Sequence, residues 1–107
     1  MIFESIFESE KNRELFLVDG GFCRWHLRRD GQITIREIIV LENQRGLGIA
    51  SKMLKDLKSV PGCNSIFAKC PSNLEDANNW YRMKGFELVG SSKTKSGKEI
   101  YSWRLSI

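Results

Sequence analysis

Ile38-Ile39-Val40-Leu41 runs into Glu42-Asn43-Gln44-Arg45-Gly46-Leu47-Gly48, and Ile49-Ala50-Ser51-Lys52-Met53-Leu54 follows without a break. The first four residues are apolar and mostly β-branched, which suits a buried strand. Beyond the glycines the period changes. Ala50, Met53, Leu54 and Leu57 recur at the spacing of one helix face, with Lys52, Lys55 and Lys58 turned outward. A loop with two glycines therefore joins a buried strand to a helix, at the carboxyl end of the strand, where ligands of α/β sheets usually sit.

Working outward, the strand begins at Gln32 and reads QITIREIIVL. Asp30-Gly31 marks a hairpin turn before it, and Asp19-Gly20-Gly21 marks another. Between the two turns, Cys23, Trp25 and Leu27 alternate with Arg24, His26 and Arg28, as in a strand with one buried face. Glu14 to Val18 is a short apolar strand, and residues 1–13, with Ile2, Phe3, Ile6 and Phe7, suit a short helix. Downstream, Pro61-Gly62 closes the first helix and Ser65 to Cys70 returns to strand. Ser72-Asn73-Leu74-Glu75 has the spacing of a capping box and predicts a second helix to about Lys84, stopped at Gly85-Phe86. Phe86–Val89 and Ile100–Leu105 read as an antiparallel hairpin around the polar loop SSKTKSGK. The predicted fold is a mixed α/β plan: an antiparallel meander, two crossover helices and a C-terminal hairpin on one mixed central sheet.

The 107 residues suit one domain over 1–107, with 41% hydrophobic and 28% charged residues. No apolar stretch approaches the ~20 residues that span a bilayer, so no membrane association is expected. MIFESIFESE is acidic and lacks a basic n-region, unlike a secretory signal. Cys23, Cys63 and Cys70, with His26 as the sole histidine, lack the paired spacing of a zinc site. Reduced thiols in a cytoplasmic protein are the expectation, and no metal is implied. A net charge of +4 suits an anionic ligand but is too mild and dispersed to argue for nucleic acid.

A helix N-terminus offers unpaired N–H groups and a partial positive charge, which attract phosphate. Gly46 and Gly48 remove Cβ atoms that would hold a phosphate off those amides, and Arg45 adds a fork suited to phosphate oxygens. The same glycines would also serve a tight corner with no ligand at all. The loop is neither a Walker loop nor G-x-G-x-x-G, which disfavours a nucleotide triphosphatase.

Val40 to Ala50 resembles the acyl-CoA-binding signature of the GNAT superfamily of N-acetyltransferases, Arg/Gln-x-x-Gly-x-Gly/Ala, matched at Arg45, Gly48 and Ala50. Glu42 stands where that family often carries proline. A second segment, Ala77-Asn78-Asn79-Trp80-Tyr81-Arg82-Met83-Lys84-Gly85-Phe86, is similar to the family's alanine-led aromatic-Tyr-x-x-x-Gly-Phe segment. The resemblance covers residues 14–107. It implies acetyl-CoA as cofactor, its pyrophosphate on the amides of Gly46, Leu47, Gly48, Ile49 and Ala50 beside Arg45. It also implies that the strand ending at Val40 splays from the strand carrying Cys70, so that the backbone of Ile39 and Val40 pairs with the pantetheine arm. Asn78 is implied as a further CoA contact, or is a solvent-facing helix residue. Family members carry a strand and two helices where this chain has residues 1–13. The CoA half is thus expected intact, while the acceptor wall is either open to a macromolecular surface or supplied by a second subunit in a homodimer.

Acetyl transfer to an amine needs a neutral amine, a polarised thioester and a proton for the departing thiolate. Tyr81 stands where the family often places the general acid; it also suits an aromatic wall with Trp80. Glu37 is the candidate base. By alternation it shares a face with Ile33, Ile35 and Ile39, where desolvation would raise its pKa, or else it pairs across strands with Arg24 or Arg28, and a bulge would flip its face. His26 shares the polar parity and reads as an exposed strand residue. Cys70 either lines the site or is packing, and Lys93, Lys95 and Lys98 read as a solvated hairpin tip. The function these features imply is transfer of an acetyl group from acetyl-CoA to a primary amine, on a small molecule or a protein, by direct attack in a ternary complex. The alternative is a non-catalytic acyl-CoA-binding or interaction module of the same fold.

Overall fold

A computed structural model describes residues 14–107 apart from Glu42 and Gln44; the helix expected within residues 1–13 lies outside the described residues. The predicted meander is present as β1 (Leu15–Val18), β2 (Gly21–Leu27) and β3 (Gln32–Val40). The chain continues through α1 (Ile49–Lys58), β4 (Ser65–Pro71), α2 (Glu75–Met83), β5 (Glu87–Lys93) and β6 (Glu99–Ser106). These six strands form one mixed sheet in the order β1-β2-β3-β4-β6-β5, with β3 and β4 parallel and the other pairs antiparallel.

One sheet face presents Cys23, Trp25, Ile33, Ile35, Ile66, Ala68, Cys70 and Trp103. Met53, Leu54 and Leu57 of α1 and Tyr81 of α2 join them in a single buried cluster, so both helices cover this face. The alternate residues Arg24, His26, Thr34, Phe67, Lys69 and Arg104 fall on the opposite face, which no described helix covers.

A bulge changes the reading of β3. Trp25 pairs with Ile35, but Arg24 pairs with Glu37, so Arg36 is an extra residue with no partner on β2. The extra residue reverses the alternation beyond it. Ile38 and Val40 consequently pack against the core while Ile39 is exposed. Glu37 accordingly lies across from Ile33 and Ile35, not beside them, and pairs with Arg24.

The second helix begins later than its sequence suggests. Leu74 is the residue before its first turn and no side chain caps it. The Ser72 N–H instead donates to the Glu99 carbonyl, tying this segment to β6 and leaving the expected capping box unformed. At the far end the Phe86 N–H bonds the Tyr81 carbonyl, and the Gly85 N–H bonds that of Arg82. That is a Schellman closure, and it uses the left-handed φ of +90° at Gly85. The closure folds Phe86 back so that its ring meets Tyr81 edge-on at 5.1 Å. The last hairpin is longer than predicted: Ser91, Ser92 and Lys93 extend β5, and Thr94 to Lys98 alone form the connection.

Cys23 is fully buried, and burial pushes its thiol from the ordinary 9.0 up to about 12. The folded protein therefore keeps a proton that the unfolded chain releases near pH 9.0. Its contribution to stability is complete below that pH and is lost as pH rises through about 12. Burial pushes Tyr81, Cys63 and Cys70 in the same direction. Denaturant midpoints measured at about pH 8 and about pH 11 should fall with pH, by an amount on the order of a few kcal/mol for Cys23. Cys23→Ala should flatten that dependence; an unchanged slope would mean that other groups govern it.

Candidate active site

The geometry that organises the site is the end of the β3–β4 ladder. Pairing runs from Gln32–Ser65 to Ile35–Ala68 and stops there, although β3 continues to Val40 and β4 to Pro71. Each strand remains held along its outer edge, β3 by β2 as far as Gly21–Val40 and β4 by β6 as far as Pro71–Ile100. Two inner strand edges thus face each other without a ladder between them. The Leu41 N–H donates to the Gly20 carbonyl, at 2.7 Å. Since successive peptide groups alternate sides, those of Ile39 and Glu37 also face β2, whereas those of Ile38 and Val40 face the gap. Of the two backbones expected to meet a pantetheine arm, that of Val40 faces the gap, whereas that of Ile39 faces β2 because of the phase of the ladder. The backbone of Ile38, which the sequence reading did not single out, also faces the gap.

Beyond Val40 lies the glycine loop. Gly46 and Gly48 have φ of +83° and +79°, and a Cβ built at either would meet nothing within 4 Å. Their backbone, rather than a packed corner, needs glycine, and the space above each is open. Gly48 is the N-cap of α1 with no side chain closing the cap, and the first turn contains no acidic residue. The first helical bond there runs from the Lys52 N–H to the Gly48 carbonyl, so the amides of Ile49 and Ala50 precede the helix's own pairing. Leu47 is exposed, and the Arg45 Nε–H donates to the Val40 carbonyl at 3.3 Å, linking the loop to the gap. The chain therefore gathers Val40 and Arg45 through Ala50 into one uncapped helix entrance, a set of donors that fits a diphosphate.

Tyr81 lies on the helix-covered side and is 5% exposed. Its ring stacks on Trp103 at 6.2 Å and meets Trp80 edge-on at 5.2 Å. Burial pushes the phenol above the ordinary tyrosine range, and the Cys70 and Cys23 thiols add to that. Those two cysteines stand on β4 and β2, on either side of β3. Among the described residues the only fully buried side-chain polar atom without a partner is the Trp25 indole nitrogen. The Tyr81 hydroxyl likewise has no hydrogen-bond partner among the described residues.

Asn78 is also 5% exposed and is not solvent-facing. Its Nδ2 donates to the carbonyls of Pro71 and Leu74, both at 2.9 Å, and its Oδ1 accepts from the Trp103 indole N–H at 2.9 Å. The amide is thus spent on clamping α2 to the end of β4 and to β6, which leaves none of it turned toward a cofactor. Glu37 Oε1 accepts from the Arg24 Nε–H at 3.2 Å, and both side chains are largely buried on the open face. His26 on that face is held by Glu14, and Cys70 is buried beside the Pro71 carbonyl. No group of three potential metal ligands occurs among the described residues, and no described helix is long and apolar enough to cross a membrane.

A feature not foreseen is a cavity of about 490 Å³ on the open face. Its lining includes Arg24, Arg28, Thr34, Arg36, Phe67 and Lys69. Arg36 reaches it by ordinary alternation from Thr34, and the bulge keeps Arg24 and Glu37 on the same face.

Comparison with known proteins agrees with this architecture. The profile of the Acetyltransferase (GNAT) domain matches residues 6–88. Among solved structures, a protein of Agrobacterium tumefaciens assigned as an acetyltransferase is 27% identical with a TM-score of 0.67, over 82% of this chain and 65% of its own. Arabidopsis thaliana Naa50, solved with the bisubstrate analogue CoA-Ac-MVNAL, is 25% identical with a TM-score of 0.66, over 81% of this chain and 65% of its own. Ard1 from Thermoplasma volcanium shares the fold at 16% identity and a TM-score of 0.74, over 81% of this chain and 62% of its own. No curated protein matches the sequence significantly. The chain spans less than two thirds of the length of each of these structures. With the profile covering residues 6–88 and the ladder, loop and helix in the order that the fold requires, the chain belongs to the GNAT acetyltransferase family.

Proposed function

We propose that the protein binds acetyl-CoA and transfers its acetyl group to a primary amine by direct attack within a ternary complex. The observation that carries this reading is the ladder ending at Ile35–Ala68 together with an uncapped helix entrance at the end of β3. The amides of Gly46 to Ala50 and the Arg45 guanidinium hold the diphosphate. The backbone groups of Ile38 and Val40 supply strand-like hydrogen bonds to the pantetheine amides, which brings the thioester to the fork.

There the amine nitrogen forms a bond to the carbonyl carbon as the carbon–sulfur bond breaks. The Tyr81 hydroxyl gives its proton to the departing thiolate, and the amine proton leaves through water toward Glu37. A buried phenol is a reluctant anion, but a thiolate leaving into the same apolar surroundings is correspondingly basic, so the transfer stays matched. The Arg24 pair that restrains Glu37 favours a second reading, a CoA-binding module without turnover. Isothermal titration with acetyl-CoA, followed by a thiol-release assay over a panel of amines, separates the two. Binding with thiol release is the expected result, binding alone supports the module, and an absence of binding would overturn both.

A further inference from the structure

We infer that the acceptor is an amine carried on an anionic molecule, one whose carboxylates meet Arg36 and Lys69 on the open face of the sheet. The inference rests on the acetyl-transfer reading and specifies its second substrate.

The direction of approach follows from the layers. Both helices bury one face of the sheet, so a second substrate reaches the fork from the other. On that face the cavity of about 490 Å³ lies where the ladder ends, since its lining includes Ile35 and Arg36 of β3 and Phe67 and Lys69 of β4. Arg36 and Lys69 are the residues immediately past the last ladder pair, Ile35–Ala68. The glycine loop is elsewhere: four residue steps along β3 lead from Arg36 to Val40, roughly 13 Å at strand rise. These cations are therefore separate from the diphosphate donors.

The charge is not cancelled locally. Arg24 is paired with Glu37 at 3.2 Å and Arg28 with Asp30 at 2.9 Å. Among the described residues neither Arg36 nor Lys69 has a carboxylate within ion-pair distance. Two cations with no counter-ion among the described residues stand at the mouth of the fork and act on an amine in two ways. They disfavour its protonated form, which helps supply the neutral nucleophile, and they repel a carrier that brings only positive charge. A carrier with carboxylates near the amine overcomes the second effect while retaining the first. Phe67 and the Thr34 side chain give the cavity an apolar and a hydroxyl-bearing wall beside the two cations, suited to a short acyl or peptide backbone.

The test uses C-terminally labelled pentapeptides with a free α-amine, identical except for glutamates, alanines or lysines after the first residue. Fluorescence anisotropy with the whole protein should show the glutamate peptide binding about tenfold more tightly than the alanine peptide, and the lysine peptide more weakly than either. Arg36→Glu with Lys69→Glu should reverse the order while leaving acetyl-CoA affinity within about twofold. Displacement by free glutamate marks a small amino acid as the source of this chemistry, and persistence marks a peptide; both support the inference.

Equal binding of the three peptides, or an order unaffected by the charge reversals, would overturn it. So would an oligonucleotide that binds more tightly than the glutamate peptide and loses affinity in the same variants. Acetyl-CoA binding without charge selectivity sinks this inference alone. Charge-selective peptide binding without acetyl-CoA binding sinks the transferase reading and leaves Arg36 and Lys69 as a face for anionic amines.

Discussion

In a Tyr81→Phe variant, turnover should fall about a hundredfold while acetyl-CoA affinity stays within about twofold, because the change removes one hydroxyl and leaves the ring. The ring carries the packing: it stacks on Trp103, meets Trp80 and touches Phe86 in the helix closure. Among the described residues the hydroxyl has no hydrogen-bond partner to lose, so the folded state should melt at nearly the wild-type temperature. Since burial holds the phenol above the ordinary tyrosine range, with Cys70 and Cys23 acting in the same direction, the proton is retained wherever the acceptor amine is neutral. The wild-type rate should therefore rise with pH as the amine deprotonates, and should not decline through about pH 10 for want of the acid. Steady-state kinetics against pH check both statements. Equal turnover in the variant would return Tyr81 to a purely structural role.

A comparably large effect is expected in Gly48→Glu, this time on affinity. The side chain enters open space, so no neighbour has to move. The backbone strain of a left-handed residue costs about 1 kcal/mol, partly offset by a carboxylate at a helix N-terminus. That carboxylate occupies the place and the charge of the diphosphate. Losing one or two charge-assisted bonds weakens binding by about ten- to a hundredfold, which should erase the thermal shift given by acetyl-CoA. Gly48→Ala imposes the same backbone strain without the charge and should keep most of the shift. If Gly48→Glu melts upward with acetyl-CoA as the wild type does, the diphosphate does not sit at this helix.

The family and the order of its elements were legible because the diagnostic residues are local. A β-branched run, a double glycine and a helical period sit within a single stretch of β3, loop and α1. What escaped the sequence is what depends on distant partners or on a count of one. A bulge adds a residue without altering composition, so strict alternation assigned Glu37 and Ile39 to the wrong sides of β3. Asn78 looked like any helix asparagine, since its partners Pro71 and Trp103 lie on two other strands. Ser72 and Glu75 had the right spacing for a cap, but the Ser72 N–H is claimed by Glu99 across the sheet. Ser91 to Lys93 read as loop because they are polar; β5 is an edge strand with every residue exposed, where polarity is the norm.

The position of β6 has a consequence for how the protein comes to be made. It follows β5 in the chain, yet it is inserted between β4 and β5. Until β6 has emerged from the ribosome, the outer edge of β4 has no partner, and Trp103 is not there to cover Tyr81 or to donate its indole N–H to Asn78. The fork cannot acquire its shape before then, whatever α1 and β3 have already formed. Folding should therefore be slow relative to local helix formation, as expected where distant segments must meet. The interval during which Ile66, Ala68 and Cys70 present an open edge is when a nascent chain would be most exposed to misassociation.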